Sequence, residues 1–312
     1  MSKFVHLHVH TQYSILDGQA SINALVDKAM ADGMPALAIT DHGNMFGIKE
    51  FFNYVSKKNS KTKGAIKEAE AAAKEAETAG DIALAEEKRR DADELKGKIF
   101  KPILGCEVYV ANESLLTHVD KHDTGRHLIL LAKNEKGYHN LVKIVSRAWT
   151  EGFYSHPRTD KADIEAHKEG LIVCSACLGG EIPRLISAGQ IDEAEKRVKW
   201  WKDTFGDDYY LELQRHKATV PRANHETFPL QQRVNEELIR IARKFDIKLI
   251  CTNDVHFVNE DDAEAHERLI CLSTNKKIAD ENRMLYSKQE WLKTTSEMAG
   301  IFADIPEAIE NT

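Results

Sequence analysis

Seven short runs of apolar and β-branched residues recur along the chain, and most are followed by a stretch with helical spacing. The runs are 5–9, 36–40, 103–110, 127–131, 171–174, 209–213 and 249–252, while 22–30, 138–149 and 230–245 repeat apolar residues at helical intervals. Strands alternating with helices argue a parallel sheet. Seven such units over about 250 residues suit a closed α/β barrel, (β/α)7 and TIM-like, better than an open sheet.

Two stretches break the rhythm. From Lys57 to Lys98 the chain is rich in Lys, Ala and Glu with few large apolar residues, and Gly80-Asp81 in its middle reads as a helix stop followed by an N-cap. A helical hairpin inserted between the second and third strands is expected over 57–98, too polar to carry core. After about residue 275 the alternation stops, and Glu297–Thr312 reads as one further helix.

Charge and cysteine content narrow the function. With Lys+Arg 43 against Asp+Glu 50 the formal charge is −7, so a nucleic-acid role needs bound metal ions or a local basic patch. Five cysteines without a signal-like N-terminus argue against a disulfide scaffold. No apolar run approaches the ~20 residues of a membrane span, so the expected location is the cytoplasm, with no membrane partner.

The 14 histidines matter through where they fall. His8 and His10 form an H-x-H on the first run, sharing a face because strand side chains alternate. Asp17 follows in the next loop, and the second run leads into Asp41-His42-Gly43. Glu107 lies on the third run, His127 opens the fourth, Cys177 follows the fifth, and Asp254 and His256 follow the seventh as D-x-H. Barrel active sites assemble at the C-terminal ends of strands. Glu107 and His127 fit that rule less cleanly than the others. Imidazoles, carboxylates and a thiolate suit Zn²⁺, Mn²⁺ or Fe²⁺, and this many donors can hold two or three ions. Such a centre polarises a phosphoryl oxygen and activates water near neutral pH.

Other motifs carry less. Cys174-Ser-Ala-Cys177 matches C-x-x-C without a redox context, and Cys174 reads as packed in its strand. Asp207-Asp208 reads as a turn. His6 is expected to support the H-x-H through a hydrogen bond. His118, His122, His139, His156, His167, His225 and His266 read as surface or helix residues. No phosphate-binding glycine loop is present.

Residues 6–18, His-Leu-His-Val-His-Thr-Gln-Tyr-Ser-Ile-Leu-Asp-Gly, resemble the opening motif of the PHP (polymerase and histidinol phosphatase) domain. They are similar to the version at the N-terminus of bacterial DNA polymerase III alpha subunits. Ile39–Gly47, Lys101–Glu107, Glu151–Tyr154, Cys177–Pro183 and Ala242–Lys244 with Thr252–Asp254 continue the resemblance, which covers about 3–312 outside the insertion. It implies a distorted seven-stranded barrel with a trinuclear metal site. Position by position, the ligands fall on His8, His10, Asp17, His42, Glu107, His127, Cys177, Asp254 and His256.

The intact set implies metal-dependent 3′→5′ exonuclease or related phosphoesterase chemistry, with Asp254, His256, His10 and Glu107 as the catalytic group. His216, Arg126, Arg158 and Arg215 are the candidates for touching substrate. Implied partners are a DNA 3′ end, the rest of a polymerase chain, a proofreading exonuclease subunit and other replisome subunits. Residues 1–275 would form the PHP domain and 276–312 the start of the polymerase region. The catalytic carboxylates of the polymerase would lie beyond residue 312, so this chain's own activity is expected to be hydrolytic. A metal-stabilised scaffold that docks the proofreading subunit is the alternative. A small-molecule phosphatase fits the polymerase-type motifs less well, and the mid-barrel lysine usual in amidohydrolases is not seen.

Overall fold

A computed structural model of the chain describes residues 3–120 and 122–312. After an extended N-terminal segment come α1 (Ile22–Ala31), β1 (Ala36–Ile39), α2 (Ile48–Lys58), α3 (Ser60–Thr78), α4 (Ile82–Lys96), β2 (Lys101–Val110) and β3 (Arg126–Ala132). Then follow α5 (Glu135–Thr150), a short hairpin β4 (Phe153–Tyr154) and β5 (His156–Thr159), α6 (Lys161–Ala166), β6 (Leu171–Cys174), α7 (Glu181–Ser187) and α8 (Ile191–Phe205). The chain continues with β7 (Tyr209–Leu213), α9 (Thr227–Phe245), β8 (Lys248–Cys251), α10 (Ala263–Ser273), α11 (Thr295–Ile301) and α12 (Glu307–Glu310).

The principal strands curl in chain order, β1-β2-β3-β6-β7-β8. The N-terminal segment is the seventh stave. It forms no regular strand, yet Ala38 N donates to His6 O at 3.0 Å and Thr40 N to Val9 O at 2.8 Å on one side. On the other, His10 N donates to Val255 O at 2.7 Å and Val255 N to His8 O at 3.1 Å. At the opposite end of the ring the C-terminus joins in: Val5 N donates to the Thr312 hydroxyl at 3.1 Å, and the Asn311 amide to Leu249 O at 2.9 Å.

One strand departs from the expected parallel sheet. β3 runs antiparallel to both β2 and β6. A parallel neighbour needs a crossover, normally a helix, and the described residues of the 111–125 connection contain none, so the chain turns straight back. The reversal explains His127. In a strand running the other way, the first residues lie level with the last residues of its neighbours. Glu107 reaches the same level because β2 is long and continues past it, with His42 bridged to Glu107.

Strand alternation sorts the barrel interior by height. On the inward face, Ile129 and Leu131 lie below His127, Ile103 lies below Glu107, Tyr210 below Glu212, and Ile250 below Asp254; these apolar residues pack with Ala36, Ala38 and Cys174 in one interior cluster. The outward faces bury Leu37, Ile39, Leu128, Leu130, Val173, Leu211 and Leu213 against the helices in a larger core. The floor of the barrel is thus apolar and its mouth polar.

The insertion is a pair of helices, α3 and α4. Gly80 takes φ +81, which costs glycine little, and the Asp81 carboxylate accepts from Leu84 N at 3.1 Å as the N-cap of α4. Its seam is alanine (Ala73, Ala76, Ala85, Ala92), and ion pairs such as Arg89–Glu77 decorate its surface. The expected helix over Glu297–Thr312 is two short helices, because Pro306 lacks the N–H needed inside a helix and instead starts α12. Met298, Phe302, Ile305, Ala308 and Ile309 pack into the main core. No helix among the described residues is long and apolar enough to cross a membrane.

Candidate metal centre

All nine side chains converge at the mouth of the barrel. Three triads each place one donor atom per residue within 4.8 Å of the others: His8-His10-Glu107, His10-His42-His256, and Glu107-His127-Cys177. Glu107 and His10 each belong to two of them. The Glu107 oxygens divide the work, Oε2 lying 2.9 Å from His8 Nε2 and Oε1 2.7 Å from His42 Nδ1 and 3.1 Å from His127 Nδ1. Asp254 Oδ1 is 3.1 Å from both His8 Nε2 and His10 Nε2, and Asp17 Oδ2 is 3.0 Å from His42 Nε2. Cys177 Sγ lies 3.5 Å from His127 Nδ1.

The backbone is bent to deliver these groups. Leu16, Ala176 and Asp254 have φ of 64°, 61° and 46°. These are left-handed conformations that side chains with a Cβ adopt at a cost, and each is at or next to a donor. An aspartate bears that conformation more readily than most residues.

Second partners fix which imidazole nitrogen faces inward. His8 Nδ1 donates to Glu212 Oε1 at 2.7 Å, and His256 Nδ1 to the Asp254 carbonyl at 2.7 Å. His10 Nδ1 donates to Ser14 Oγ at 3.0 Å, which itself donates to Asp41 Oδ1 at 2.7 Å. Three Nε2 atoms therefore point into the cluster, the arrangement metal-bound histidines adopt. The His8 and His10 Nε2 atoms are 3.1 Å apart. Donors about 2.0–2.1 Å from a tetrahedral ion would sit roughly 3.3 Å from one another, close to that spacing. Asp254 Oδ1 and His256 Nε2 are buried without hydrogen-bond partners, which is costly unless something else satisfies them. The donor set fits metal ions.

Electrostatics follow the same geometry. Burial opposes charge on His8, but Asp254 and Glu212 outweigh it and hold its pKa well above the ordinary value. Burial likewise opposes charge on His42, and Glu107 and Asp17 overcome it, lifting the pKa to about 10. His10 goes the other way, to about 3, through burial and then the charges of His42 and His256. Burial opposes ionisation of Glu107, Asp254 and Asp17, yet the surrounding imidazoles hold all three below the carboxylate range. Burial, with Asp254 and Glu107 nearby, raises the Cys177 thiol, which would have to lose its proton to ligate.

The remaining candidates lie elsewhere. Arg158 is fully buried, four of its five guanidinium N–H groups bonding to Asp123, Thr117 O and Gly152 O, so it anchors the 111–125 loop and presents no surface to a phosphate. Arg215 is clamped by Asp304 at 2.6 and 2.8 Å. His216 is buried with Nε2 on Asn253 O at 3.1 Å and Nδ1 on the Gln231 amide at 3.2 Å, leaving neither nitrogen for substrate. Arg126 lies on the outward face of β3. His6 bonds to the Lys293 carbonyl at 2.8 Å rather than to the cluster.

His266, read as an ordinary surface or helix residue, lies on α10 but is buried, with Nε2 3.8 Å from Asp17 Oδ1, beside Tyr286, whose hydroxyl donates to that oxygen at 2.8 Å. Cys174 packs in the barrel interior, and Asp207-Asp208 forms the turn before β7, with Asp208 paired to Lys133.

Glu212 and Ser14 escaped the sequence reading. Glu212 had a signal, since alternation from Tyr210 places it and Gln214 inside the barrel. Its role is testable: Glu212→Ala should weaken metal binding about 10–100-fold, measured by competition with a chromophoric chelator. Unchanged affinity would remove Glu212 from that role.

The PHP domain profile matches residues 6–216. The DNA polymerase III subunit alpha of Borreliella burgdorferi is 41% identical over 314 residues, covering 100% of this chain and 23% of that protein. The subunits of Treponema pallidum and Thermus aquaticus are each 37% identical, over 99% and 98% of this chain and 22% and 21% of their own lengths. The chain thus spans under a quarter of these relatives. A solved structure of an amidohydrolase from Chromobacterium violaceum aligns over 82% of this chain and 89% of its own with TM-score 0.42 and 13% identity, too distant to carry an argument. With the family profile covering most of the barrel, this chain belongs to the PHP domain family.

Proposed function

We propose that the cluster binds two or three Zn²⁺, Mn²⁺ or Fe²⁺ ions and hydrolyses phosphodiesters at DNA 3′ ends, within a cytoplasmic polypeptide of the DNA polymerase III alpha type. One observation carries the reading: seven of the nine donors meet in three triads that share Glu107 and His10, and the other two, Asp17 and Asp254, lie 3.0 and 3.1 Å from histidines of those triads. The bound ions would supply Lewis acidity toward a phosphoryl oxygen and an activated water. His8, His10 and Glu107 are fully buried and form the floor, whereas Asp17, His42, His127 and Asp254 reach solvent. Substrate therefore approaches from the side of the second group. Of the four residues assigned to catalysis, Asp254 reaches furthest into the opening, while His10, Glu107 and His256 act from beneath by holding donors in place. Polymerisation belongs to other parts of such a polypeptide, as do its replisome partners. Residues 276–312 are the junction toward them, although they pack on the barrel core.

The test is hydrolysis of a 3′-labelled oligonucleotide with added divalent metal, using the wild type and Asp254→Asn. Asparagine keeps tolerance of the left-handed backbone and removes the charge. A loss of at least about 10²-fold is expected; unchanged hydrolysis would sink the assignment. The scaffold alternative has one observation in its favour. A groove of about 880 Å³ between α2 and α5, lined by Met45, Phe46, Phe52, Leu104, Tyr138 and Trp149, includes none of the nine donors and leaves Phe46 55% exposed. A metal-loaded protein with no phosphoester activity would favour it.

A further inference from the structure

A chain of net charge −7 that handles DNA needs a local source of positive potential, and one lies beside the cluster. Where β3 passes the mouth of the barrel, His127 points inward and Arg126 outward. On that outer side a groove of about 370 Å³ is lined by Val110, Arg126, His127, Arg184, Arg197 and Trp201. His127, one of the donors that reach solvent, is thus common to the groove and the candidate metal centre.

The acids nearby are already engaged. Glu181 accepts from Lys161 at 2.8 Å and from the Trp201 indole at 3.1 Å, and Glu193 lies 2.8 Å from Arg197. Among the described residues, the Arg126 and Arg184 side chains have no ion-pair or hydrogen-bond partner. This contrasts with Arg147, Arg158, Arg215 and Arg283, each of which holds a carboxylate. Desolvation and then the charge of Arg126 push the Arg184 pKa down, as expected of neighbouring guanidiniums with no anion between them. Forked donors of this kind are matched by a phosphate.

We propose that the Arg126–Arg184 groove binds a backbone phosphate of single-stranded DNA next to the phosphodiester held at the metal centre. This rests on the phosphoesterase reading above and adds to it a separate anchoring site, which would make the preferred substrate a strand rather than a mononucleotide ester. Arg197, half-engaged with Glu193, adds charge at the groove's far wall.

The experiment measures binding of a fluorescein-labelled oligodeoxythymidine, blocked at its 3′ end by a phosphorothioate linkage, to the whole chain as salt is varied. Arg126→Ala/Arg184→Ala should bind about 10-fold more weakly. The slope of log affinity against log salt should fall by about 0.7–1.4, as one or two phosphate contacts are lost. Arg126→Lys/Arg184→Lys should keep the slope, and Arg89→Ala/Arg90→Ala, on the inserted hairpin, should change neither quantity. Equal affinity and slope in the double alanine variant, an equal loss from the hairpin variant, or no binding by the wild type would overturn the groove. If binding falls as expected but no variant hydrolyses any phosphoester, the groove stands and the hydrolytic reading fails.

Discussion

Glu107→Gln should cost the protein at least one equivalent of bound metal and about 10³-fold or more in phosphodiester hydrolysis, because no other side chain serves so many of its neighbours. Its two oxygens lie within 3.1 Å of nitrogens on His8, His42 and His127, and it belongs to two of the three donor triads. An amide keeps the volume and loses the charge. Its NH₂ also places a donor where the histidines need an acceptor or an ion needs an anion. In the metal-free protein the same change leaves buried, partly charged imidazoles uncompensated, for which about 3–5 kcal/mol is the usual cost. Metal content by mass spectrometry, with melting curves in chelator, separates the two effects. Full metal content with unimpaired hydrolysis would show that Glu107 is not shared between sites.

Chelation should lower the melting temperature by on the order of 10 °C, since two or three tightly held ions each contribute a few kcal/mol by mass action. The drop should widen from pH 6 to pH 9. His42 is raised to about 10 and His8 is also raised in the metal-free fold, so their stabilisation is fully present below about 6.5 and is lost as pH climbs through the folded value. His10 and His6, lowered to about 3 and 4 chiefly by burial, contribute above about 6.5, and that contribution is lost as pH falls toward those values. Asp17, Glu107 and Asp254, lowered by the surrounding imidazoles, also weaken the acid side, though at lower pH. Metal-free protein should therefore be most stable near pH 6.5 and weaken on both sides. Metal binding needs deprotonated imidazoles and a Cys177 thiolate, so ions compete better as pH rises. Melting curves with and without chelator across this range check the sign. A chelator effect that is flat, or larger at low pH, would mean the cluster's protonation is not what metal displaces.

Much of the site was legible because barrel geometry turns strand ends into a shared location. His8, His10, His42, Cys177, Asp254 and His256 each sit at the end of a recognisable apolar run, and alternation sets His42 above the interior Ala38 and Asp254 above the interior Ile250, whereas Cys177 follows the left-handed Ala176. Arg158 shows the limit. In sequence it is an arginine near a strand like Arg126, yet it is fully buried and bonded to the 111–125 loop and to Gly152 O, whereas Arg126 has no ion-pair or hydrogen-bond partner for its side chain among the described residues. Partner choice depends on which loops fold over a strand, and that is not written in local spacing. His266 makes the same point from α10, a helix position that reads as surface until α10 and Tyr286 close against Asp17.

By itself the sequence determined the alternation of short strands and helices, the inserted helical pair over 57–98 and the donor types on or beside six of the seven runs. All of these follow from periodicity and turn chemistry within a few residues. Only the tertiary structure decided that β3 runs backwards, which brings His127 level with the other donors. It alone decided that Glu107 faces three histidines, that Glu212 and Ser14 orient His8 and His10, and that the C-terminal residues meet the first stave. Those outcomes depend on contacts between residues far apart in the chain, where hydrogen-bond completion and burial, rather than local preference, select the arrangement.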